Sequence, residues 1–346
     1  MSRKNGYLVF GLILGTFLFF FNKQLSYYFA PNIYQWYQEF SFNIFNSHTI
    51  YFAESILLPL LAKIIGASKS NVTYKLFCSF FQVGIVIVVC IRAEKIFKNN
   101  RSVLLFILLF ATTFLYLRNY QLGFPDPLTI LLLIIVATTE NKWLSASAIF
   151  LACLSHFSLT IISAIAYSCM IFLDNGYSFI TRVKAVRHIF IGVIFGKLFL
   201  LLWYFVWKYN LTTRFQEAIW GDSYGIYFFW DQFKNKGIAF WLTPGYPFLF
   251  VYMFISIYFL YKKRYLFFIG QVFSLFLAYL ALFFTIDGLR IFSVAMALPY
   301  VYLLKVFIKE VDSFLDKKIV ADERFYVVKK IVCEGNIMYW KRKANI

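Results

Sequence analysis

The chain has 346 residues and a formal net charge of +18, and 61% of its residues are hydrophobic. Phe contributes 45 residues and Tyr 25, which is more apolar surface than a soluble domain of this length can bury. The composition therefore excludes a soluble globular protein and indicates an integral membrane protein. Lys and Arg lie in short segments between apolar runs, so the charge marks membrane topology and does not indicate nucleic-acid binding.

Successive apolar runs predict an all-α, polytopic transmembrane helical bundle of about ten spans. The first run follows Arg3 and Lys4 with no small-residue cleavage site after it, which predicts an uncleaved signal anchor. The fifth and sixth runs meet at Ser155-His156, so these two runs can also form a broken or re-entrant pair around that point. The predicted spans lie near residues 7–22, 74–91, 102–117, 124–139, 143–155, 157–173, 189–207, 246–261, 265–284 and 289–307.

The segment 23–73, between the first two predicted spans, mixes aromatic and polar residues. Its second half is a short apolar run that carries Glu54 and Lys63 and is interrupted by Pro59. A run this short and this polar is typical of a helix that lies in the membrane interface. We therefore predict two juxtamembrane amphipathic helices in this first outer loop.

Membrane topology follows from the dense basic clusters. If 51–66 is interfacial, the clusters at 92–101, 182–187 and 262–264 lie on the same side as both termini. The positive-inside rule assigns that side to the cytoplasm. If 51–66 spanned the membrane, every later loop would change sides and the clusters would face outward.

The predicted organisation is a transmembrane domain over 1–308 and a basic cytoplasmic tail over 309–346. The second large outer loop, 208–245, contains Trp230 next to Asp231. An aromatic ring can stack on the apolar face of a sugar while a carboxylate accepts its hydroxyls. The alternative is an interfacial aromatic belt.

Ionisable groups at membrane depth are costly and usually mark function. Glu39 and Glu54, in the first outer loop, can hold a divalent cation such as Mg²⁺ or Mn²⁺ against a phosphate. One of them can instead act as a general base, or both can be solvated acids on helix surfaces. Asp126 lies between Pro125 and Pro127 at the start of a span, where it is either a functional acid or a helix cap. No residue set is assigned as a metal site.

Four further residues are candidates for substrate binding: Arg290, Lys197, His156 and Asp287. Arg290 can clamp a phosphate with its planar fork, or pair locally with Asp287 at the start of the last span. Lys197, inside a span, can hold a lipid phosphate or pair with an acid on a neighbouring helix. His156 is either a substrate-binding residue or a hydrogen-bonded core histidine.

The order of these elements resembles the integral-membrane glycosyltransferases of the GT-C superfamily, over roughly residues 1–175. In both, a first span leads into a long outer loop with two juxtamembrane helices. The second of these helices has an acid ahead of a Pro-Leu run that ends in Gly, here Glu54 to Gly66. A span then ends in a basic segment, 92–101, and Pro125-Asp126-Pro127-Leu128 opens an apolar span, as Asp-containing motifs do in that superfamily.

The resemblance implies a multi-pass enzyme of the bacterial inner (plasma) membrane. Such an enzyme moves a sugar from a polyprenyl-phosphate-linked donor to a cell-surface glycan or lipid acceptor at the outer face. By analogy, Glu39 or Glu54 in the first outer loop serves as base or metal ligand.

The mechanism expected from this resemblance is direct displacement at the anomeric carbon. Glu54 or Asp126 would activate the acceptor hydroxyl. Arg290, with Arg118 or Lys197, would hold the donor phosphate and stabilise the charge of the leaving group.

Three alternatives share parts of this pattern. The chain also resembles polymerases that join lipid-linked polysaccharide repeat units such as O-antigen, for which Arg118, Arg214 and Arg290 would be the functional groups. A transporter or flippase for lipid-linked glycans would show discontinuous helices and polar groups near the midplane, such as Lys197. A non-catalytic subunit of a glycan assembly complex would lack convergent outer charges.

Overall fold

The structure is a computed structural model, and it describes residues 3–21, 33–45, 55–112, 124–174, 178–206, 234, 246–282 and 288–333. Over these residues it contains eleven α-helices, one short 3-10 turn and no strand, so the all-α prediction is confirmed there. In chain order the helices are α1 (Arg3–Phe21), α2 (Ile33–Phe42), α3 (Leu57–Ile64), α4 (Asn71–Ile96), α5 (Asn100–Ala111), α6 (Asp126–Thr138), α7 (Lys142–Phe172), α8 (Phe179–Val206), α9 (Tyr246–Tyr261), α10 (Tyr265–Ala281) and α11 (Gly288–Cys333).

Four helical segments are long and apolar enough to cross a membrane: α4, α7, α8 and Arg290–Phe314 of α11. Five shorter apolar helices lie in α1, α5, α6, α9 and α10. Large apolar side chains remain exposed on the outside of the bundle, for example Phe195 at 60% and Phe205 at 81%. Exposure of so much apolar surface to water is unfavourable. The exposed side chains therefore support the interpretation of the chain as a membrane protein. The number of membrane crossings stays a prediction.

The spans predicted at 143–155 and 157–173 belong to one helix, α7, which is interrupted at His156. The backbone of His156 has φ −158° and ψ 88° instead of helical values. Thr160 Oγ1 donates to the carbonyl oxygen of Ala152, eight residues earlier, at 3.0 Å. In a straight helix these two residues would be about 12 Å apart along the axis, so the chain folds back at His156.

Both ends of α7 lie at the same end of the bundle. The first residue of α7, Lys142, follows shortly after the end of α6 at Thr138. At that end of α6, Lys305 Nζ of α11 donates to the carbonyl oxygen of Ala137 at 3.4 Å. The last turn of α7 is followed by Asp174, which pairs with Arg264 at 2.5 Å, and Arg264 also pairs with Glu310 of α11. Lys305 and Glu310 are only about 7.5 Å apart along their helix. The helix α7 is therefore a hairpin whose tip is His156.

We call the end that holds both termini of α7 the basic end, and define it by Arg92, Arg182, Arg264 and Lys305. Arg92 donates to Thr138 Oγ1 at 2.9 Å, and Arg182 donates to the carbonyl of Phe172. Residues of the three basic segments predicted to share one side of the membrane thus meet at one end of the bundle. Which side of the membrane this end faces stays a prediction.

The first half of α7 packs closely against α8 through two glycines. A Cβ atom at Gly192 would lie 2.6 Å from the carbonyl oxygen of Ala146, and one at Gly196 would lie 2.5 Å from Cys153 Cβ. Small residues four apart allow two helix backbones to approach this closely. This contact fixes the position of α8 beside the first half of α7.

The second half of α7 packs against α11, which forms the centre of the bundle. Leu298 N donates to Ser163 Oγ at 3.3 Å, and the rings of Tyr167 and Tyr302 are 5.1 Å apart. Because both contacts advance by four residues on each helix, the two segments run in the same direction. The start of α11 therefore lies near the tip of the hairpin, at the end opposite the basic end.

The described residues of 23–73 contain α2 and α3 ahead of the start of α4; two amphipathic helices were predicted for this segment. The buried residues of α2 and the turn after it, Tyr37, Phe40, Ser41 and Ile44, follow a helical period. Ser41 Oγ donates to the carbonyl of Pro59 at 2.7 Å, which joins α2 to α3. Their predicted place in the membrane interface stays a prediction.

We expect Gly192→Ala to lower the thermal stability of the detergent-solubilised protein, because its Cβ would displace the backbone of Ala146. Overpacking of this kind typically costs about 1–3 kcal/mol. Gly6→Ala is the matched control, because no atom lies within 4 Å of a Cβ at Gly6. Equal melting temperatures for the two variants would contradict the close approach of α7 and α8.

Candidate functional site

A buried ion pair joins the starts of α6 and α11. Arg290 Nη1 lies 2.7 Å from Asp126 Oδ2, and the two side chains are 7% and 0% exposed. Asp126 is the first residue of α6, where the positive end of the helix dipole favours a carboxylate. Arg290 is near the start of α11, where the dipole disfavours a cation. The carboxylate of Asp126 therefore compensates the charge of Arg290.

Aromatic rings cover one side of this pair. The guanidinium carbon of Arg290 lies 4.0 Å from the ring centroid of Phe124. The ring of Phe124 lies 5.3 Å from that of Tyr37, a residue of α2 that is 2% exposed. A cation over a ring face is attracted to it, and the attraction is larger where water is excluded. The helix α2 thus lies over the same end of the bundle as the ion pair.

The tip of the α7 hairpin is tied to the start of α6. Thr129 Oγ1 donates to Ser155 Oγ at 2.8 Å, and Ser155 Oγ donates to the carbonyl of Pro125 at 3.1 Å. His156, the next residue, lies within electrostatic range of both Asp126 and Arg290. We call these three residues, Asp126, His156 and Arg290, the polar cluster.

One oxygen of the polar cluster has spare hydrogen-bonding capacity. Asp126 Oδ1 is buried and has no hydrogen-bond partner among the residues that the structure describes. A buried carboxylate oxygen without a donor is costly, because it has lost water and gained nothing in return. This oxygen can accept a hydrogen bond from a hydroxyl group that enters the site.

Lys197 lies beside the hairpin tip. Its ammonium nitrogen is 4.5 Å from the ring centroid of Phe157, the residue that follows His156. Its neighbours on α8, Ile194 and Leu198, are 57% and 55% exposed, so this face of α8 points out of the bundle. Over the described ranges, no carboxylate forms an ion pair with Lys197. The ammonium group of Lys197 therefore lies between the outside of the helical bundle and the polar cluster.

The contacts of the structure bring together some of the candidate residues. Asp126 and Arg290 form an ion pair, His156 lies within electrostatic range of both, and Lys197 lies against Phe157 next to His156. Glu39 is exposed on α2, on the side away from Tyr37, so it does not face the polar cluster. The remaining candidates lie outside the described residues; they are Glu54, Arg118, Asp287, Trp230 and Asp231.

Sequence reasoning did not pair Arg290 with Asp126, and it did not identify Phe124, Tyr37 or Ser155 as neighbours of the pair. The sequence signal that could have identified Phe124 as a neighbour of the pair was its position directly before Pro125-Asp126. No group of three or more His, Cys, Asp or Glu residues within the described ranges could hold a metal ion. The divalent cation considered from the sequence stays a prediction, since Glu54 falls outside those ranges.

No protein-family model, curated protein or solved structure matches this chain. The resemblance to GT-C glycosyltransferases therefore stays a prediction from the sequence. A function has to be argued from the geometry and chemistry of the polar cluster itself.

We expect Asp126→Leu and Arg290→Met each to destabilise the protein by about 3–5 kcal/mol, because each leaves the opposite charge buried alone. The double variant Asp126→Leu/Arg290→Met removes both charges and should be more stable than either single variant. Unfolding of the purified protein in a detergent–denaturant series measures this. Additive losses in the double variant would show that the two residues do not act as a pair.

Proposed function

We propose that this chain is a membrane glycosyltransferase that moves a sugar from a polyprenyl-phosphate-linked donor to a glycan or lipid acceptor, with the polar cluster as its reaction centre. The observation that carries the proposal is the buried Asp126–Arg290 pair beside the hairpin tip. This pair lies at the end of the bundle opposite the basic end. By the positive-inside rule that end faces away from the cytoplasm, on the side where lipid-linked sugars are used as donors.

In the proposed reaction Arg290 binds the phosphate of the donor. A guanidinium group carries several N–H donors in a fixed plane that matches phosphate oxygens, and it stays charged. As the bond between the anomeric carbon and the phosphate oxygen breaks, negative charge collects on the phosphate. A cation already held in place by Asp126 and Phe124 stabilises that charge without reorganising.

Asp126 is the proposed base. The acceptor hydroxyl donates to Asp126 Oδ1, and its oxygen attacks the anomeric carbon from the face opposite the phosphate. The proton passes to the carboxylate, and the electron pair of the broken bond leaves with the polyprenyl phosphate. His156, within electrostatic range of both Asp126 and Arg290, is a proposed substrate-binding residue. Glu54 is the alternative base from the first outer loop.

Access to the pair requires movement, because Asp126 has no exposed surface and Phe124, with Tyr37 packed against it, covers Arg290. The covering helix α2 belongs to a short pair of helices, and a lipid-linked donor would displace it. Lys197, at the outer surface of the bundle beside the tip, provides a first contact for the donor phosphate. The phosphate would pass from Lys197 to Arg290 without leaving the membrane.

A second candidate is a transporter or flippase for lipid-linked glycans. The interruption of α7 at His156 favours it, because discontinuous helices with polar groups at the break are typical of substrate sites in transporters. A transporter would need the polar cluster to face each side in turn. Movement of lipid-linked glycan across vesicle membranes without sugar transfer would favour this candidate over the transferase.

The neutral variant Asp126→Asn/Arg290→Gln is expected to fold and to lose at least about 10²-fold in sugar transfer, since it removes both the base and the phosphate cation. The matched control is Asp174→Asn/Arg264→Gln/Glu310→Gln, which neutralises the three linked charges at the basic end and should keep transfer. Analysis of surface glycan and of lipid-linked intermediates in cells that carry each variant measures the loss.

Full product in cells with the folded Asp126→Asn/Arg290→Gln variant would refute the proposed reaction centre and leave the pair a structural role. The same folded Asp126→Asn/Arg290→Gln variant separates the transferase from the polymerase alternative. A polymerase variant would accumulate single repeat units attached to lipid, whereas a transferase variant that acts earlier would lose all glycan.

Sidedness is testable at two exposed positions. We expect Glu39→Cys to react with a membrane-impermeant maleimide on intact cells, because α2 lies over the end that holds the polar cluster. Lys184→Cys, in the basic segment 182–187, should react only after the membrane is permeabilised. Reaction of both cysteines from the same side would contradict the proposed orientation.

A further inference from the structure

Exposed cations gather where α7 and α8 begin, at the basic end. Lys142 is the first residue of α7 and is exposed, and Lys184 and Arg187 are exposed in the first turns of α8. His188 lies within electrostatic range of both Lys142 and Arg187, so the two helix starts face each other. The close packing around Gly192, one turn further along α8, fixes this arrangement.

The charge of this cluster is not balanced locally. Within the described part of the chain, none of these cations forms an ion pair with a carboxylate. Glu140, the acid nearest in sequence, interacts instead with Arg92 and Lys305. The N-termini of α7 and α8 add partial positive charge of their own. The combined potential favours an anion between the two helix starts.

Exposed apolar side chains lie next to the cations on the side toward the middle of the bundle. Trp143 is 84% exposed, and Ile191 and Ile194, about one and two turns further along the Arg187 face of α8, are 45% and 57% exposed. A free inorganic anion gains nothing from such neighbours. A phospholipid does, since its acyl chains can lie against these side chains while its phosphate meets the cations.

We propose that the starts of α7 and α8 form a binding site for an anionic phospholipid, with Lys142, Arg187 and His188 around its phosphate and Trp143 and Ile191 against its acyl chains. The site lies at the opposite end of the bundle from the polar cluster. It is independent of the proposed sugar transfer and would serve a transporter equally.

The test uses the full chain, purified in detergent and presented with phosphatidylcholine vesicles with or without phosphatidylglycerol. We expect Lys142→Gln/Arg187→Gln to weaken binding of phosphatidylglycerol on the order of thirtyfold, from two lost phosphate contacts. The matched control Lys262→Gln/Lys263→Gln removes the same charge from exposed positions at the same end and should retain binding.

Three outcomes would overturn the proposal. Equal weakening by the control would mean diffuse attraction to the surface without a site. Displacement of phosphatidylglycerol by inorganic phosphate alone would show that the apolar residues do not contribute to binding. Loss of binding in the charge-conserving variant Lys142→Arg/Arg187→Lys would mean that the substitutions act through folding.

Discussion

A charge inside an apolar bundle has to meet an opposite charge, and the pair between Asp126 and Arg290 satisfies that requirement at the start of two helices at once. Taking both ions out of water is costly, and their attraction offsets that cost only at short range and in a fixed geometry. The starts of α6 and α11 are therefore held together. The tip of α7, tied to Pro125 through Ser155, is fixed relative to the same point.

A second set of charges performs the same function at the opposite end. Arg264 links Asp174, after the second half of α7, to Glu310 on α11. The hairpin and the central helix are thus fixed both at the tip and at the base. Between these two levels the described contacts are mostly apolar, with tyrosine rings and small residues at the helix crossings, and a few buried hydrogen bonds such as Leu298 N to Ser163 Oγ join the helices. The described ion pairs lie at the two ends of the bundle.

Much of this arrangement was predictable from the sequence. Apolar runs located the helices, and the basic segments indicated which ends belong together, because both signals are local. The pairing of Arg290 with Asp126 was not predictable, since 164 residues separate them and Asp287 offered a closer partner. The direction of the chain after His156 was also undecided, because a polar residue in an apolar run can mark either a bend or a reversal. Glu39 was a candidate by residue type, although its spacing from Tyr37 already placed it on the other side of the helix.

The length of the hairpin has a consequence for where the polar cluster sits. Each half of α7 has room for a rise of only about 21–24 Å, against about 30 Å for the hydrocarbon layer of a typical bilayer. If the base is level with one surface, the tip stops several ångströms short of the other. The polar cluster of Asp126, His156 and Arg290 would then lie inside the hydrocarbon layer, at the depth of the acyl carbons nearest the headgroups of that second surface. A substrate carried on a membrane anchor could meet them there, while a water-soluble sugar nucleotide would have to leave its solvent first.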